Sequence, residues 1–166
     1  MAIPTWVTGE VLTASDVNEW FVPLLVVKAA DESITSSTAM QNDNELVLAI
    51  PANATFVFDC YLNWEGGIGG DIKWQWTGPA GYTLRYTAAY RDPSTNNANV
   101  GTGSTGGTVN QAGGNGAGSL RAVMMNGSVV TSSTAVNLQL QWAQNSSSGT
   151  ATIVHAQSYL RLYRYA

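Results

Sequence analysis

Alternation of apolar and polar residues, sustained through most of the chain after position 54, is the feature that most limits its fold. In one stretch, the apolar residues Phe56, Phe58, Cys60, Leu62 and Trp64 occupy every second position. Successive side chains of a β-strand point to opposite faces of the sheet, so this spacing predicts a strand with one buried face. Burying large side chains, at roughly 1.5–3 kcal/mol each, is enough to hold such strands in a sandwich. The same period is found in further rows: Ile72, Trp74 and Trp76; Leu84, Tyr86 and Ala88; Leu138, Leu140 and Trp142; and Val154, Ala156, Ser158, Leu160 and Leu162.

Turn signals divide these rows into short strands with no helix between them. Asn126-Gly127 has the composition of a two-residue hairpin turn, because both residues tolerate a positive φ. Residues 92–118 contain eight glycines and no aromatic residue, and we expect them to form one long irregular loop. The pattern predicts an all-β fold, an antiparallel, jelly-roll-like β-sandwich of eight or nine strands. The strands are expected near 25–31, 45–50, 54–64, 71–77, 83–91, 119–125, 128–133, 135–144 and 150–165.

The first 25 residues do not share the strand pattern, so we divide the chain into an N-terminal arm, 1–25, and a β-sandwich domain, 26–166. Thr13 or Ser15 is suited to cap a short helix that Pro23 would stop. A helix of about two turns is marginal alone in water and needs a surface on which to bury its apolar stripe. That surface is either the arm's own β-sandwich or a neighbouring subunit or another protein. The residues predicted to dock are Trp6, Val17, Trp20, Phe21 and Leu24.

Charged residues make up only 11% of the chain, and the net charge is −4. No basic cluster is present to neutralise a phosphate backbone, which argues against a nucleic-acid partner. All eleven acidic residues lie at or before Asp92, and only Arg121, Arg161 and Arg164 carry charge after it. Any ion pair of these arginines must therefore reach back to the first half of the chain or across to another subunit. The alternative is that the arginines are solvated.

The outward row of the last predicted strand is rich in tyrosine and arginine, residue types that are enriched in the cores of protein interfaces. We expect this row to form a subunit contact. The alternative is an outer face whose aromatic residues lie beneath the 92–118 loop. The predicted contact residues are His155, Gln157, Tyr159, Arg161 and Tyr163.

No group of residues indicates catalysis, and we predict that the chain is not an enzyme and binds no cofactor or metal. His155 is the only histidine and Cys60 the only cysteine, and Cys60 belongs to an apolar row. The tryptophans of the apolar rows are expected in the core. That leaves tyrosines such as Tyr82 and Tyr90 as the aromatic residues for a sugar site. The N-terminus has no signal-peptide pattern and no stretch is apolar enough to cross a bilayer, so we expect a soluble protein made in a cytoplasm, with no membrane partner.

Two stretches resemble structural proteins of double-stranded DNA bacteriophages. The first, residues 6–18, looks like the N-terminal segment of many phage tail and appendage proteins. The second comprises residues 116–121, 138–144 and 156–162, and is similar to β-domains in structural proteins of phages that infect actinobacteria. The closing strand also looks like the end of the trimeric TNF/C1q-like jelly roll. The first resemblance is carried by Gly9-Glu10-Val11-Leu12-Thr13-Ala14-Ser15-Asp16-Val17-Asn18.

These resemblances imply a virion structural protein, either a minor tail or tail-fibre-like protein or a capsid decoration protein. They imply a homotrimeric knob on the exterior of the particle, assembled in the host cytoplasm and anchored by the arm to another virion protein. The alternative function is a carbohydrate-binding or receptor-binding module that contacts a host surface glycan. Tail and capsid placement are left open, as are the host, its receptor and the role of the 92–118 loop.

Overall fold

The computed structural model describes residues 4–78, 80–104 and 110–166. It contains one short helix, α1, followed by twelve strands within these residues. The elements are α1 (Ala14–Trp20), β1 (Leu24–Val27), β2 (Glu32–Ile34), β3 (Gln41–Ile50), β4 (Thr55–Gly66), β5 (Ile72–Thr77), β6 (Tyr82–Arg91), β7 (Ala98–Ser104), β8 (Asn110–Ala112), β9 (Gly116–Thr131), β10 (Val136–Ala143), β11 (Thr152–Val154) and β12 (Tyr159–Arg164).

The strands form two antiparallel sheets that pack face to face. The large sheet has the order β1-β12-β4-β9-β6-β7, with β11 and β2 added beside the end of β4. The small sheet has the order β3-β10-β5-β8. One hydrophobic core joins the inner faces of both, as in the edge-to-face contact of Phe58 with Trp76, whose ring centroids are 5.7 Å apart. The predicted all-β antiparallel sandwich with a short N-terminal helix is confirmed.

The apolar rows of the sequence form this core, because the period of two places each row on the inner face of its strand. Trp64, Trp74 and Trp142 are fully buried, and Trp76 is nearly so. Cys60 is also buried, as its place in an apolar row predicts, and burial raises the pKa of its thiol. These residues therefore stabilise the sandwich and are not available at the surface.

The predicted hairpin at Asn126-Gly127 is wrong, since both residues lie inside the continuous strand β9. Gly127 is paired on one side with Phe58 and on the other with Tyr86. An added Cβ at Gly127 would lie 2.1 Å from the carbonyl oxygen of Arg85 and 2.8 Å from the Phe58 ring. The glycine is thus required by the close approach of β6 and an aromatic ring, and not by a turn.

The predicted loop at 92–118 is also wrong, because it contains β7, β8 and the first residues of β9. An added Cβ at Gly103 would lie 2.2 Å from the Tyr86 ring, and one at Gly101 would lie 3.0 Å from the Tyr90 hydroxyl. Glycines of β7 therefore make room for tyrosine rings of the neighbouring strand β6. Burial raises the pKa of Tyr86 to about 12, and its hydroxyl accepts a hydrogen bond of 2.7 Å from Asn110.

The last predicted strand, 150–165, is divided into β11 and β12 by a turn. Gln157 adopts a φ of 68°, which ends the strand conformation at that point. Its amide donates to the carbonyl of Lys28, and the amide of Lys28 donates to the carbonyl of Ser158. These two bonds join the turn to the end of β1, so β11 and β12 take separate places in the large sheet.

A buried ion pair joins the large sheet to the small sheet. Lys28, which follows β1, lies 3.0 Å from Asp43 on β3 and 2.9 Å from Glu32 on β2. Asp43 also accepts hydrogen bonds from the Trp142 indole and from the Leu46 amide, so both of its oxygens have partners. Burial lowers the pKa of Lys28, but the hydrogen bonds and charges of Glu32 and Asp43 outweigh it, and the net pKa is raised.

Candidate interaction surfaces

The N-terminal arm begins its helix with a reciprocal cap. The amide of Asp16 donates to the Thr13 hydroxyl over 3.2 Å, and the amide of Thr13 donates to the Asp16 carboxylate over 2.8 Å. The Thr13 hydroxyl also donates to the Asp16 carboxylate over 2.6 Å, and this bond, with the one from the Thr13 amide, lowers the pKa of Asp16, whose charge lies at the positive end of the helix dipole. Of the two residues predicted to cap the helix, Thr13 and Ser15, it is therefore Thr13 that does so.

The helix of the arm contacts the β-sandwich beside the end of β12. The guanidinium of Arg164 lies 4.6 Å from the centre of the Trp20 ring and forms an ion pair with Glu19. Trp6 stacks on Phe21 with ring centroids 6.5 Å apart. No residue of α1 is buried, and Phe21 is 59% exposed. The β-sandwich thus covers only part of the arm's apolar surface.

Leu24 does not belong to this apolar surface, although the helical stripe in the sequence includes it. The helix ends at Trp20, and Leu24 begins β1, where it pairs with Leu162 and packs against the core. The other four residues predicted to dock lie together beside the end of β12. Three of them, Trp6, Trp20 and Phe21, line a cleft of about 240 Å³ together with Pro4, Arg164 and Tyr165. Val17 is exposed on the same helix and does not line the cleft.

The outer face of the large sheet carries exposed apolar side chains. Where strands pair in register, one line of exposed and partly exposed apolar residues crosses six strands. Exposed hydrophobic residues in a continuous array mark an interaction surface more strongly than scattered ones do. In strand order the line consists of Val27, Tyr159, Tyr61, Met124, Ala89 and Val100.

Arg161 is held at the aromatic half of this face. It lies 3.0 Å from Asp59 on β4, and its guanidinium is 4.9 Å from the Tyr163 ring and 5.7 Å from the Tyr159 ring. The hydrogen bond to Asp59 raises the pKa of Arg161 further above its ordinary value. Arg161 and Arg164 both pair with acids from the first half of the same chain, which is one of the outcomes that the charge distribution allowed. Three predicted contact residues, Tyr159, Arg161 and Tyr163, therefore share one rigid patch.

His155 and Gln157 lie outside this patch because the turn between β11 and β12 removes them from the strand. The His155 ring has Asp31 at 3.1 Å from Nδ1 and Glu65 at 3.6 Å from Nε2. Asp31 also accepts a hydrogen bond from the amide of Ala156, which lowers the pKa of its carboxyl group. We correct the predicted contact patch accordingly: these two residues belong to the turn.

The outer face of the small sheet is polar. The side chain of Gln75 donates to Gln141 over 2.6 Å, and Gln141 donates to Asn42 over 2.8 Å, which makes a ladder of amides across three strands. Within the described residues, this sheet exposes no large hydrophobic side chain. Its outer face is therefore suited to contact with water.

Part of the large sheet's outer face was not singled out by sequence reasoning. It is a depression of about 490 Å³ over β9, β6 and β7, which we call the hydroxyl-lined depression. The polar alternation of Thr83, Arg85 and Thr87 on β6 is its signal in the sequence, but the glycines of the two neighbouring strands resemble the residues of a loop and a turn. The outward side chains that line it are Arg85, Thr87, Thr102, Ser104, Asn126 and Ser128.

The tyrosines predicted as a sugar site do not form one. Tyr82 and Tyr90 are both partly buried and pack against the core, and Tyr90 makes an edge-to-face contact with Trp74. In the residues that the structure describes, no cluster of His, Cys, Asp and Glu is placed to hold a metal ion. The single helix found there, α1, has seven residues and is far too short to cross a bilayer.

Comparison of the sequence with protein families gives no match, and neither does comparison with curated proteins. Among solved structures, the chain is similar to the tripod (BppUct-A-L) from the baseplate of bacteriophage Tuc2009, with 12% identity and a TM-score of 0.37 over 99% of this chain and 75% of that one. It is also similar to a chain of infectious bursal disease virus, Gt strain, with 15% identity and a TM-score of 0.20 over 98% of this chain and 45% of that one. TM-scores at this level do not establish a common fold.

Proposed function

We propose that this protein is a bacteriophage virion structural protein that forms a homotrimeric knob on the exterior of the particle, as a tail appendage or a capsid decoration. The observation that carries the proposal is the distribution of exposed apolar residues. Among the residues that the structure describes, the large hydrophobic side chains that are exposed lie, apart from Ile68 in the turn after β4, on three parts of the molecule. These are the arm and its junction with β1, the outer face of the large sheet, and Tyr165 just after β12. The virion location and the threefold symmetry are supported by the sequence resemblances of the arm and of the closing strand.

The subunit contact in this proposal is the aromatic half of the large sheet's outer face, over β1, β12 and β4. Val57, at 50% exposure, pairs with Tyr163 and lies next to the patch of Tyr159, Arg161 and Tyr163. Asp59 already neutralises Arg161, and the two tyrosines hold its side chain in place. A preorganised patch loses little side-chain entropy on association, which favours its use as an interface.

The arm is the proposed anchor. Trp6, Trp20 and Phe21 line a cleft that the β-sandwich leaves open, and Val17 is exposed on the same helix, so a partner on the particle can cover them. Two other occupants could cover the cleft instead: the arm of a neighbouring subunit in the trimer, or the β-sandwich of the same chain. The proposal is that another virion protein occupies it.

The mass of the protein in solution tests the subunit contact. We expect a trimer at micromolar concentration, and we expect Val57→Glu to raise its dissociation constant at least tenfold, or ~1.4 kcal/mol, because it buries an unpaired charge in an apolar contact. Ala49→Glu is the matched control, since Ala49 is exposed on the outer face of the small sheet. A monomeric wild-type protein, or equal dissociation by both variants, would contradict the proposed contact.

Binding to virions tests the anchor. We expect Phe21→Ser to release the protein from purified particles while its trimer mass is unchanged, because Phe21 is exposed beside the cleft. Ile68→Ser is the control, since Ile68 is 83% exposed but lies far from the arm in the turn after β4. Absence of the protein from particles would contradict the virion location. Its copy number would separate a capsid decoration from a tail appendage.

A further inference from the structure

The hydroxyl-lined depression has the shape and chemistry of a small-ligand site. Pairing in register places Arg85 between Ser104 and Ser128, and Thr87 between Thr102 and Asn126. Neighbouring strands are about 4.8 Å apart and alternate residues about 6.8 Å, so these six side chains form a grid of roughly 10 by 7 Å. Its volume of about 490 Å³ is within the range of sites for small organic ligands.

Glycines on the inner side of the sheet set the shape of this depression. Gly127, Tyr86 and Gly103 are paired across β9, β6 and β7, and they lie between the two outward rows. The Tyr86 ring would be only 2.2 Å from a Cβ on Gly103, so a larger residue there would push the strands outward. The floor of the depression is therefore part of the packed core and is rigid.

The depression carries one positive charge, that of Arg85, and no acidic residue among the described residues neutralises it. Within the described residues, the Arg85 guanidinium has no ion pair or hydrogen bond, and no carboxylate lines the depression. Asp59 lies one strand away, opposite Asn126, but its charge is already paired with Arg161. A guanidinium is a planar donor that binds carboxylates with two parallel hydrogen bonds.

We propose that this depression binds an acidic oligosaccharide, one that carries carboxylate groups on a polyhydroxylated chain. Arg85 binds a carboxylate, while the five surrounding hydroxyl and amide side chains exchange hydrogen bonds with sugar hydroxyls. A small inorganic anion would meet Arg85 and leave the other five without a partner. A nucleic acid is disfavoured, because one arginine on a chain of net charge −4 supplies little counterion release.

This inference deepens the proposed function, on which it rests for its biological meaning, by naming the class of host-surface ligand that a virion knob would contact. The depression lies over β9, β6 and β7, on the other half of the outer face from the proposed subunit contact over β1, β12 and β4, and the inference requires that it stays open in the trimer. Three copies of a weak site on one knob gain affinity through multivalency. A dissociation constant on the order of a millimolar per site is expected for a shallow, exposed depression.

Saturation-transfer difference NMR with trigalacturonic acid tests the proposal on the full-length protein. We expect binding of trigalacturonic acid, at least tenfold weaker binding of the neutral maltotriose, and less than half displacement by an equal concentration of inorganic sulfate. Arg85→Gln should weaken the binding at least fivefold, and Thr87→Val, which removes one hydroxyl, about twofold. Arg91→Gln is the matched control, because Arg91 is exposed on the same strand but lies outside the depression.

Each remaining outcome overturns the proposal. Equal binding of maltotriose would show that charge is not recognised, and full displacement by sulfate would show a simple anion site. Equal weakening by Arg85→Gln and Arg91→Gln would show diffuse electrostatics. No signal from any sugar would remove the site. The trimer mass of Arg85→Gln is measured alongside, so a failure of this site is distinguished from a failure of the proposed assembly.

Discussion

The two sheets have similar inner faces and very different outer ones. Tryptophans and other large residues of both sheets meet in one core, as Trp64 of the large sheet and Trp142 of the small sheet illustrate. On the outside, the small sheet carries the amide ladder of Gln75 and Gln141, whereas the large sheet exposes Val57 and Met124. The difference indicates that the core packed between the two sheets stabilises the fold, and that the outer face of the large sheet is available for partners.

Loss of the buried carboxylate that joins the sheets should have the largest effect. Asp43→Ala leaves the Lys28 ammonium buried with only Glu32 beside it, and removes the acceptor of the Trp142 indole. We expect the free energy of unfolding to fall by about 3–5 kcal/mol, measured by urea denaturation. Asn44→Ala, at the exposed neighbouring position, should change it little. Similar stability of both variants would contradict this view of the two sheets, because the buried ion pair between them would then contribute little to stability.

The aromatic–glycine row inside the large sheet should have the next largest effect. Gly127→Ala places a methyl group against the Arg85 carbonyl and the Phe58 ring, which forces β6 or β4 to shift. We expect a loss of about 1–3 kcal/mol in the free energy of unfolding. At Gly149 an added Cβ contacts nothing, so Gly149→Ala serves as the control in the same urea titration. Equal effects would show that β9 does not require a glycine at position 127.

The two arginines of the large sheet's outer face should respond differently to the same conservative change. Arg161→Lys loses the planar group that contacts Tyr163 and binds Asp59, whereas Arg85 has no such partners in the described residues. We expect Arg161→Lys to lower the urea midpoint, by a smaller amount than Gly127→Ala does. We expect Arg85→Lys to leave the midpoint unchanged. A lower midpoint for Arg85→Lys would mean that its guanidinium is engaged within the subunit.

Substitution of Asp71, in the connection between β4 and β5, is expected to give a small gain in stability. Burial raises the pKa of Asp71, although its carboxylate accepts a hydrogen bond of 2.9 Å from the Gly114 amide. The folded state therefore binds a proton more readily than the unfolded state, so Asp71 destabilises the protein above the raised pKa. This penalty disappears as the pH falls toward the ordinary value of 3.8.

Asp71→Asn removes that charge and keeps an acceptor oxygen, and asparagine tolerates the φ of 53° at this position. We expect a higher urea midpoint at pH 7 and a flatter dependence of stability on pH between the ordinary and the raised pKa. Asp92→Asn is the control with the opposite sign, because hydrogen bonds from Thr95 and Ser94 lower the pKa of Asp92. A lower midpoint for Asp71→Asn at pH 7 would contradict the pKa argument.

The parts of the fold that sequence predicted are those fixed by local periodicity. The row from Phe56 to Trp64 and the row from Leu138 to Trp142 alternate strictly, and both are buried as expected. The cap at Thr13 was recognisable because its partner, Asp16, lies only three residues away. These features depend on neighbours in the sequence, which is why they could be predicted.

The parts that were wrong depend on partners distant in sequence. Gly127 resembles a turn residue, but its requirement comes from Phe58 and Arg85 on two other strands. The glycines of β7 resemble a loop for the same reason, so the hydroxyl-lined depression was missed. The turn at Gln157, which removed His155 from the contact patch, is held by the backbone of Lys28. No local pattern reports these contacts.

The central place of β4 has a consequence for how the protein is made. This strand ends at Gly66 and pairs with β9 on one side and β12 on the other, and β12 begins only at Tyr159. During translation, one edge of β4 must stay unpaired until the chain has been synthesised through β12, about a hundred residues later. Until then its unpaired backbone is open to other chains, a hazard that grows with the concentration of incomplete chains. A lower expression level, or a chaperone that shields this edge, should therefore raise the yield of soluble protein.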